Sequence, residues 1–448
     1  MRDKRKTVMA SERRGLGVPF TTYRSPRFAA PPPLALYIHI PWCVRKCPYC
    51  DFNSHEARTK VPEQRYISAL VADLEHALPQ VWGRPVHSVF FGGGTPSLFS
   101  AEGIDAILAG VRARVPLAPG AEVTLEANPG TFEAEKFRNF RAAGVNRLSI
   151  GVQSFNSRHL RALGRIHGAD EARQAIDAAR RHFENFNLDI MYGLPAQSVE
   201  DALADVAEAI RFVPPHLSVY QLTIEPNTYF YRHPPFLPDD DATAAMQETI
   251  EQALSAANYE HYEVSAYARL REETGERRDG EDGVQGVGSA LLSPLSSPRS
   301  RQSARCAHNL NYWMFGDYLG IGAGAHSKLS FADRIVRQMR VKHPAHYLEA
   351  AQRGTPVQEE HVVAADEIGF EFLMNALRLS TGFPAAVFEE RTGMPLAVVL
   401  RGLDEAERRG LLARDHARIA PTPLGQRFLN DLLQLFLPPA QRVPHAVT

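Results

Sequence analysis

Cys43, Cys47 and Cys50 are three of only four cysteines in 448 residues, and all lie in the run Tyr37-Ile-His-Ile-Pro-Trp-Cys-Val-Arg-Lys-Cys-Pro-Tyr-Cys-Asp-Phe52. A Cys-x3-Cys-x2-Cys loop can point three thiolates at one place but supplies no fourth sulfur. That donor set suits a 4Fe-4S cluster with one iron left open, and an open iron invites a small chelating ligand. The alternative is a structural zinc, which wants four protein ligands and has only His39 or His55 nearby to complete the set. A disulfide is the weaker reading, because three clustered cysteines leave one thiol unpaired and nothing marks the chain for export.

Other residues suit the same chemistry. Gly92-Gly93-Gly94 lets the backbone approach a ligand closely, and Thr95 adds a hydroxyl. Asp189 sits inside the apolar run Asn187-Leu-Asp-Ile-Met-Tyr-Gly-Leu-Pro195, where an ionised group is costly unless paired or hydrogen-bonded. Ribose hydroxyls would be suitable partners, and a structural pair with an arginine is the competing account. Arg165, in Leu163-Gly-Arg-Ile-His167, can hold a carboxylate through its planar fork, or be a solvated helix charge.

These residues need a frame. From residue 34 onward short apolar runs alternate with helix-periodic segments, the signature of a parallel β/α fold. Strands are predicted over Leu34 to Ile40, His87 to Phe91, Glu122 to Ala127, Arg147 to Val152, Phe186 to Met191 and Leu217 to Ile224. Helical spacing lies between them, as in Ile67, Leu70, Val71, Leu74 and Leu78, or Ile104, Ile107, Leu108 and Val111. Six such units make a partial (β/α)6 barrel spanning 34–268, and ligands of such folds sit at the carboxyl ends of the strands. The cysteine loop, the Gly-Gly-Gly-Thr-Pro turn, Glu126, Gln153 and Asp189 all fall at or near strand ends, so they converge on one face.

Another strand-like run covers Tyr259 to Tyr267. Residues 269–305 are rich in Gly, Ser, Arg and Glu and read as a disordered insertion. Order resumes in a post-barrel segment, 306–360, with His308-Asn-Leu-Asn-Tyr-Trp313 and the Gly-rich run Leu319 to Ala325. A last module, 361–438, combines helix-periodic segments (Ile368 to Leu379, Ala386 to Glu390, Ala397 to Arg408) with a short hairpin and a final helix, a small α/β winged-helix-like shape. Its arginines are nearly balanced by acids, whereas a nucleic-acid reader shows a basic stripe, so a lid or packing role is expected rather than DNA binding.

Lys and Arg number 50 against 51 Asp and Glu, which recommends neither nucleic acid nor an anionic membrane as partner. No apolar run approaches the ~20 residues of a membrane span, and a cytoplasmic protein is expected. Residues 1–33 are basic without an apolar signal core and read as a disordered extension, within which Met9 offers an alternative start.

The cysteine spacing, with Tyr49 before the last cysteine, resembles the cluster loop of the radical S-adenosyl-L-methionine (SAM) superfamily, where the open iron binds SAM. From Tyr37 through the C-terminal module the chain resembles the oxygen-independent coproporphyrinogen III oxidase-like family. That resemblance implies a SAM site lined by Tyr37, Gly93, Gly94, Thr95, Glu126, Gln153, Arg165 and Asp189. The coproporphyrinogen dehydrogenases of the family carry a further cysteine where this chain has Phe52, and His308-Asn-Leu-Asn-Tyr-Trp313 is similar to the His-Asn-x-x-Tyr-Trp signature of its haem chaperone branch. The resemblance thus implies haem as a ligand, His308 as a haem contact, haem-accepting proteins and an electron donor as partners, and chaperoning in preference to decarboxylation. By spacing alone, His308 and Asn309 cap a turn while Tyr312 and Trp313 fill the core, and Cys306 is a small buried thiol rather than a second ligand. Radical decarboxylation of coproporphyrinogen III and methyl transfer with opening of the haem ring are the enzymatic alternatives.

Overall fold

Six apolar runs become six parallel strands that pair in chain order. In the computed structural model, which describes residues 25–270 and 304–437, these are β1 (Leu34–Ile40), β2 (Val86–Gly93), β3 (Leu117–Ala127), β4 (Arg147–Gln153), β5 (Asn185–Tyr192) and β6 (His216–Gln221). Helices Glu63–Val81, Ala101–Arg112, Thr131–Ala143, Ala169–His182, Val199–Arg211 and Asp240–Ala256 alternate with them. The partial (β/α)6 barrel is therefore present. The bounds shift in places: β3 begins at Leu117 rather than Glu122, β2 runs on to Gly93 rather than Phe91, and β6 stops at Gln221 rather than Ile224.

The sheet continues beyond the barrel at both edges. The run from Tyr259 to Tyr267 is not one strand but a hairpin, β7 (Tyr259–Glu263) and β8 (Ala266–Arg269), antiparallel to each other, with β8 on β6. At the opposite edge β9 (Asp317–Ile321) runs parallel to β1, followed by antiparallel β10 (His326–Ser330), β11 (Ile335–Arg340) and β12 (Val357–Val362). One twelve-stranded sheet results, in the order β12-β11-β10-β9-β1-β2-β3-β4-β5-β6-β8-β7. The segment expected to follow the barrel is thus mostly an extension of the barrel's own sheet, because the Gly-rich run pairs along β1.

A buried ion pair ties this extension to the first barrel helix. Arg340 Nε donates to Asp73 Oδ1 at 2.9 Å, while Asp73 Oδ2 accepts from the Tyr347 hydroxyl at 2.8 Å and the Gly322 amide at 3.1 Å.

The C-terminal module packs helices Ile368–Ala376, Ala385–Thr392 and Leu400–Arg408 on a three-stranded antiparallel sheet of Phe383–Pro384, Arg418–Pro421 and Leu412–Arg414. Phe372 centres its core, its ring 4.9 Å from Phe383, 5.0 Å from Phe388 and 5.8 Å from Phe315. Its surface arginines are neutralised locally: Arg408 and Arg409 pair with Glu405, and Arg414 with Glu407 and Asp404. Most of the expected N-terminal extension, and of the 269–305 insertion, lies outside the described residues. The end of the extension is ordered, however, since the Arg27 amide bonds the Gly393 carbonyl at 2.9 Å and the Phe28 amide that of Ala332 at 3.1 Å. Backbone hydrogen bonds to two separate elements supply the order that its composition alone did not suggest.

Candidate functional site

The cysteine loop leaves the carboxyl end of β1 through a two-residue strand, Trp42–Cys43, paired with His55–Glu56. The loop folds back on itself: the Cys50 amide bonds the Cys47 carbonyl at 3.2 Å, and Lys46 Nζ reaches the carbonyls of Phe52 and Ser54 at 3.0 and 3.2 Å. All three cysteines are free and half-buried. They line a cavity of about 350 Å³ whose other walls include Gly93, Gly94, Thr95, Glu126, Gln153, Arg165 and Asp189. The sequence-predicted residues are thus brought together, except Tyr37 and His308, which do not line this cavity.

The glycine turn is seated by close approach. Gly93 has φ of +114°, and a Cβ there would stand 2.4 Å from the His39 ring, so a side chain is excluded twice over. Its amide donates to Glu126 Oε2 at 3.2 Å, while the Gly94 and Thr95 amides bond the carbonyls of Ile40 and Trp42, both at 2.7 Å. The turn is therefore stitched to the strand that feeds the cysteine loop.

Arg165 does more than a solvated helix charge would. Its guanidinium donates to Cys47 Sγ at 3.6 Å, Asn128 Oδ1 at 2.6 Å and the Gly151 carbonyl at 2.8 Å. Asn128 in turn donates to Thr95 Oγ1 at 3.0 Å, so one chain of contacts runs from a cluster thiol to the glycine turn. Asp189 is held by Asn187 Nδ2 at 2.7 Å and Ser149 Oγ at 3.2 Å, and no arginine pairs with it among the described residues. Gln153, at φ +67°, accepts from the Tyr220 hydroxyl at 2.8 Å.

Burial sets the protonation states. It raises Glu126 to about 8, with the charge of Asp189 adding to the effect and the Gly93 amide opposing it. Burial also raises Asp189, against the hydrogen bonds of Asn187 and Ser149, and raises the thiols of Cys43 and Cys50. Two carboxyls and three thiols in one enclosed space thus favour a ligand or metal bringing positive charge.

The three half-buried thiols fit a 4Fe-4S cluster as three of its four ligands. Among the described residues a zinc finds no ready fourth donor. His39 Nε2 lies 2.9 Å from the Asn53 carbonyl and so donates, leaving Nδ1 to accept from the Tyr37 hydroxyl at 3.0 Å; His55 Nε2 lies 3.3 Å from Asn53 Oδ1.

Comparison with known proteins agrees with this geometry. Residues 37–209 match the radical SAM superfamily model, and residues 363–428 match the HemN C-terminal domain. The chain is 48% identical over 410 residues to the heme chaperone HemW of Escherichia coli, covering 91% of this chain and 98% of that protein. The chain belongs to the HemW family. It is also 46% identical to the HemW of Haemophilus influenzae, over 91% of this chain and 98% of that protein, and 34% identical to that of Mycobacterium tuberculosis, over 79% and 84%. Among solved structures, the E. coli coproporphyrinogen III oxidase HemN, a radical SAM enzyme, shares the fold with a TM-score of 0.71 at 21% identity, over 91% of this chain and 90% of that one.

The segment His308-Asn-Leu-Asn-Tyr-Trp313 lies in a short helix, Ala307–Trp313, packed against β1, β2 and β9. His308 is 5% exposed, its ring stacked on Phe90 at 4.5 Å and edge-on to Tyr312 at 4.6 Å, with no hydrogen-bond partner for Nδ1. Burial, reinforced by the charge of Arg147, lowers it to about 3, so the imidazole is neutral. Cys306 is a buried thiol pushed up to about 12 by desolvation, with Sγ 3.5 Å from Glu122 Oε1.

Sequence reading missed Asn128, Ser149, Asn187, Ser218 and Tyr220. The last four are polar residues inside parallel strands, and register places Glu126 beside Ser149, Ser149 beside Asn187, and Asp189 beside Ser218. Their period-two polarity within otherwise apolar HemW strands was the available signal.

Proposed function

We propose that this protein is a cytoplasmic haem chaperone that binds a 4Fe-4S cluster, S-adenosyl-L-methionine and haem, and delivers haem to acceptor proteins with the help of an electron donor. The observation that carries this reading is the near-full-length relation to proteins named heme chaperone HemW. Phe52 supports it, since the residue stands where the dehydrogenase pattern has its extra cysteine, at the mouth of the thiol-lined cavity. Cys43, Cys47 and Cys50 would hold the cluster, which when bound supplies an open iron for the amino and carboxylate groups of SAM. The backbone around Gly93, Gly94 and Thr95 would receive the methionine end of that ligand, and Glu126, Gln153, Arg165 and Asp189 would fix its polar groups. Arg165, already on Cys47, keeps positive charge beside the thiolate side of the cavity.

Coproporphyrinogen III oxidation is the second reading, favoured by the shared fold alone. Anaerobic titration of the cluster-reconstituted protein with haem, beside an incubation with coproporphyrinogen III, SAM and a reductant, separates the two. Stoichiometric haem binding without decarboxylation is expected. Release of carbon dioxide from coproporphyrinogen would overturn the chaperone assignment.

A further inference from the structure

A second cavity, of about 380 Å³, adjoins the first and shares Phe52, Gly93 and Glu126 with it. Its own walls are Tyr37, His39, Asn53, Tyr312, Tyr318, Gly324 and His326. Three tyrosines and Phe52, 61% exposed, give it broad apolar faces that end in polar groups, and His326 lies exposed at its edge. An open, aromatic-walled slot of this kind can take one edge of a flat macrocycle larger than itself.

We propose, building on the chaperone reading above, that haem enters this second cavity and that His326, rather than His308, supplies the imidazole to its iron. Three histidines lie near the slot, and their surroundings differ. His39 has both ring nitrogens engaged, by Tyr37 and by the Asn53 carbonyl. His308 does not line the slot, and its ring is enclosed between Phe90 and Tyr312. His326 does line it, and its ring makes no hydrogen bond among the described residues. Partial desolvation, followed by the charges of Lys342 and Arg337 and opposed by that of Glu359, lowers its basicity, so a neutral imidazole lone pair is available at neutral pH. Arg337 is engaged by Glu371 at 2.6 Å and by the hydroxyl of Tyr318, which lines the slot, at 2.7 Å, so of these two cations Lys342 is the one left to meet a tetrapyrrole carboxylate.

The Gly-rich run that precedes His326 explains how the imidazole is presented. Gly324 has φ of +78°, and a Cβ there would stand 2.3 Å from Asn53 Nδ2. Asn53, directly after Phe52, donates through that nitrogen to the carbonyls of Ala323 and Lys342, each at 2.9 Å. The turn bearing His326 is thereby fastened to the cysteine loop, and the two cavities share a wall. On this arrangement Tyr312 forms the wall of the slot and His308 packs behind it.

The test is haem titration of the full-length, cluster-reconstituted protein under reducing conditions, followed by magnetic circular dichroism to read the axial ligand. His326→Ala should weaken haem binding by tenfold or more and replace the histidine-type spectrum, with partial recovery on adding imidazole, while cluster iron and sulfide stay at wild-type levels. His308→Phe should keep the histidine-type spectrum. An unchanged spectrum and affinity in His326→Ala would overturn this assignment while leaving the chaperone reading intact. Absence of haem binding by the wild-type protein would remove both.

Discussion

Glu126 is the residue at which the barrel's chemistry can be read most directly. An acid held near 8 in the fold, against 4.5 ordinarily, is neutral when folded and ionised when unfolded across the intervening pH range. Its stabilising contribution is complete below about 4.5 and drains away as pH rises toward 8. Glu126→Gln keeps an acceptor for the Gly93 amide and cannot ionise. In ligand-free protein its denaturant midpoint should therefore gain on wild type as pH rises from about 5 to 8, then hold a constant lead. Midpoints that run parallel with pH would mean the carboxyl is ionised throughout. That Glu126 would meet the glycine turn was legible, because both lie at adjacent strand ends. Its neutrality was not, because it depends first on complete burial and then on the charge of Asp189, both brought about by strands that are distant in sequence.

At the scale of elements, the apolar runs announced the barrel strands because fully covered parallel strands need continuous hydrophobicity. The edges were less legible. In β10 and β11 buried Ser327, Lys328, Gln338 and Arg340 interrupt the apolar pattern, and each has a partner on another element. Asp73 and Arg340 are the sharpest case, a pair 267 residues apart in which neither side chain is accessible. Asp73→Ala would leave a guanidinium buried without its anion and release the Gly322 amide and Tyr347 hydroxyl. The expected cost is ~3–5 kcal/mol, measured by urea unfolding. Replacing both partners with apolar residues, Asp73→Leu with Arg340→Met, should recover much of it, since the desolvation of both charges is then avoided. A loss below about 1 kcal/mol in the single variant would show that water reaches Arg340 and that the clasp is not what fixes the Gly-rich turn.

For the whole molecule, the question is whether the C-terminal module is a separate body or part of the barrel's fold. Its core is not self-contained: Phe315 and Ile335, which flank and begin strands of the large sheet, belong to the same buried cluster as Phe372, Phe383 and Phe388. The Arg27 and Phe28 amides bridge the module's Gly393 and the sheet's Ala332, and the Ser380 amide bonds the Tyr262 carbonyl at 3.0 Å. Contacts of this kind couple the two units. Phe372→Ala, which opens a cavity against the rings of Phe315, Phe383 and Phe388, should cost ~3–5 kcal/mol and lower the melting of barrel and module together. Far-ultraviolet circular dichroism and the fluorescence of Trp42, packed inside the barrel 4.8 Å from Tyr66, should then report one coincident transition once Trp82 and Trp313 are replaced by phenylalanine. If ellipticity fell first while Trp42 stayed native, the module would be an independent domain, and a lid that can leave the barrel would become the better description of it.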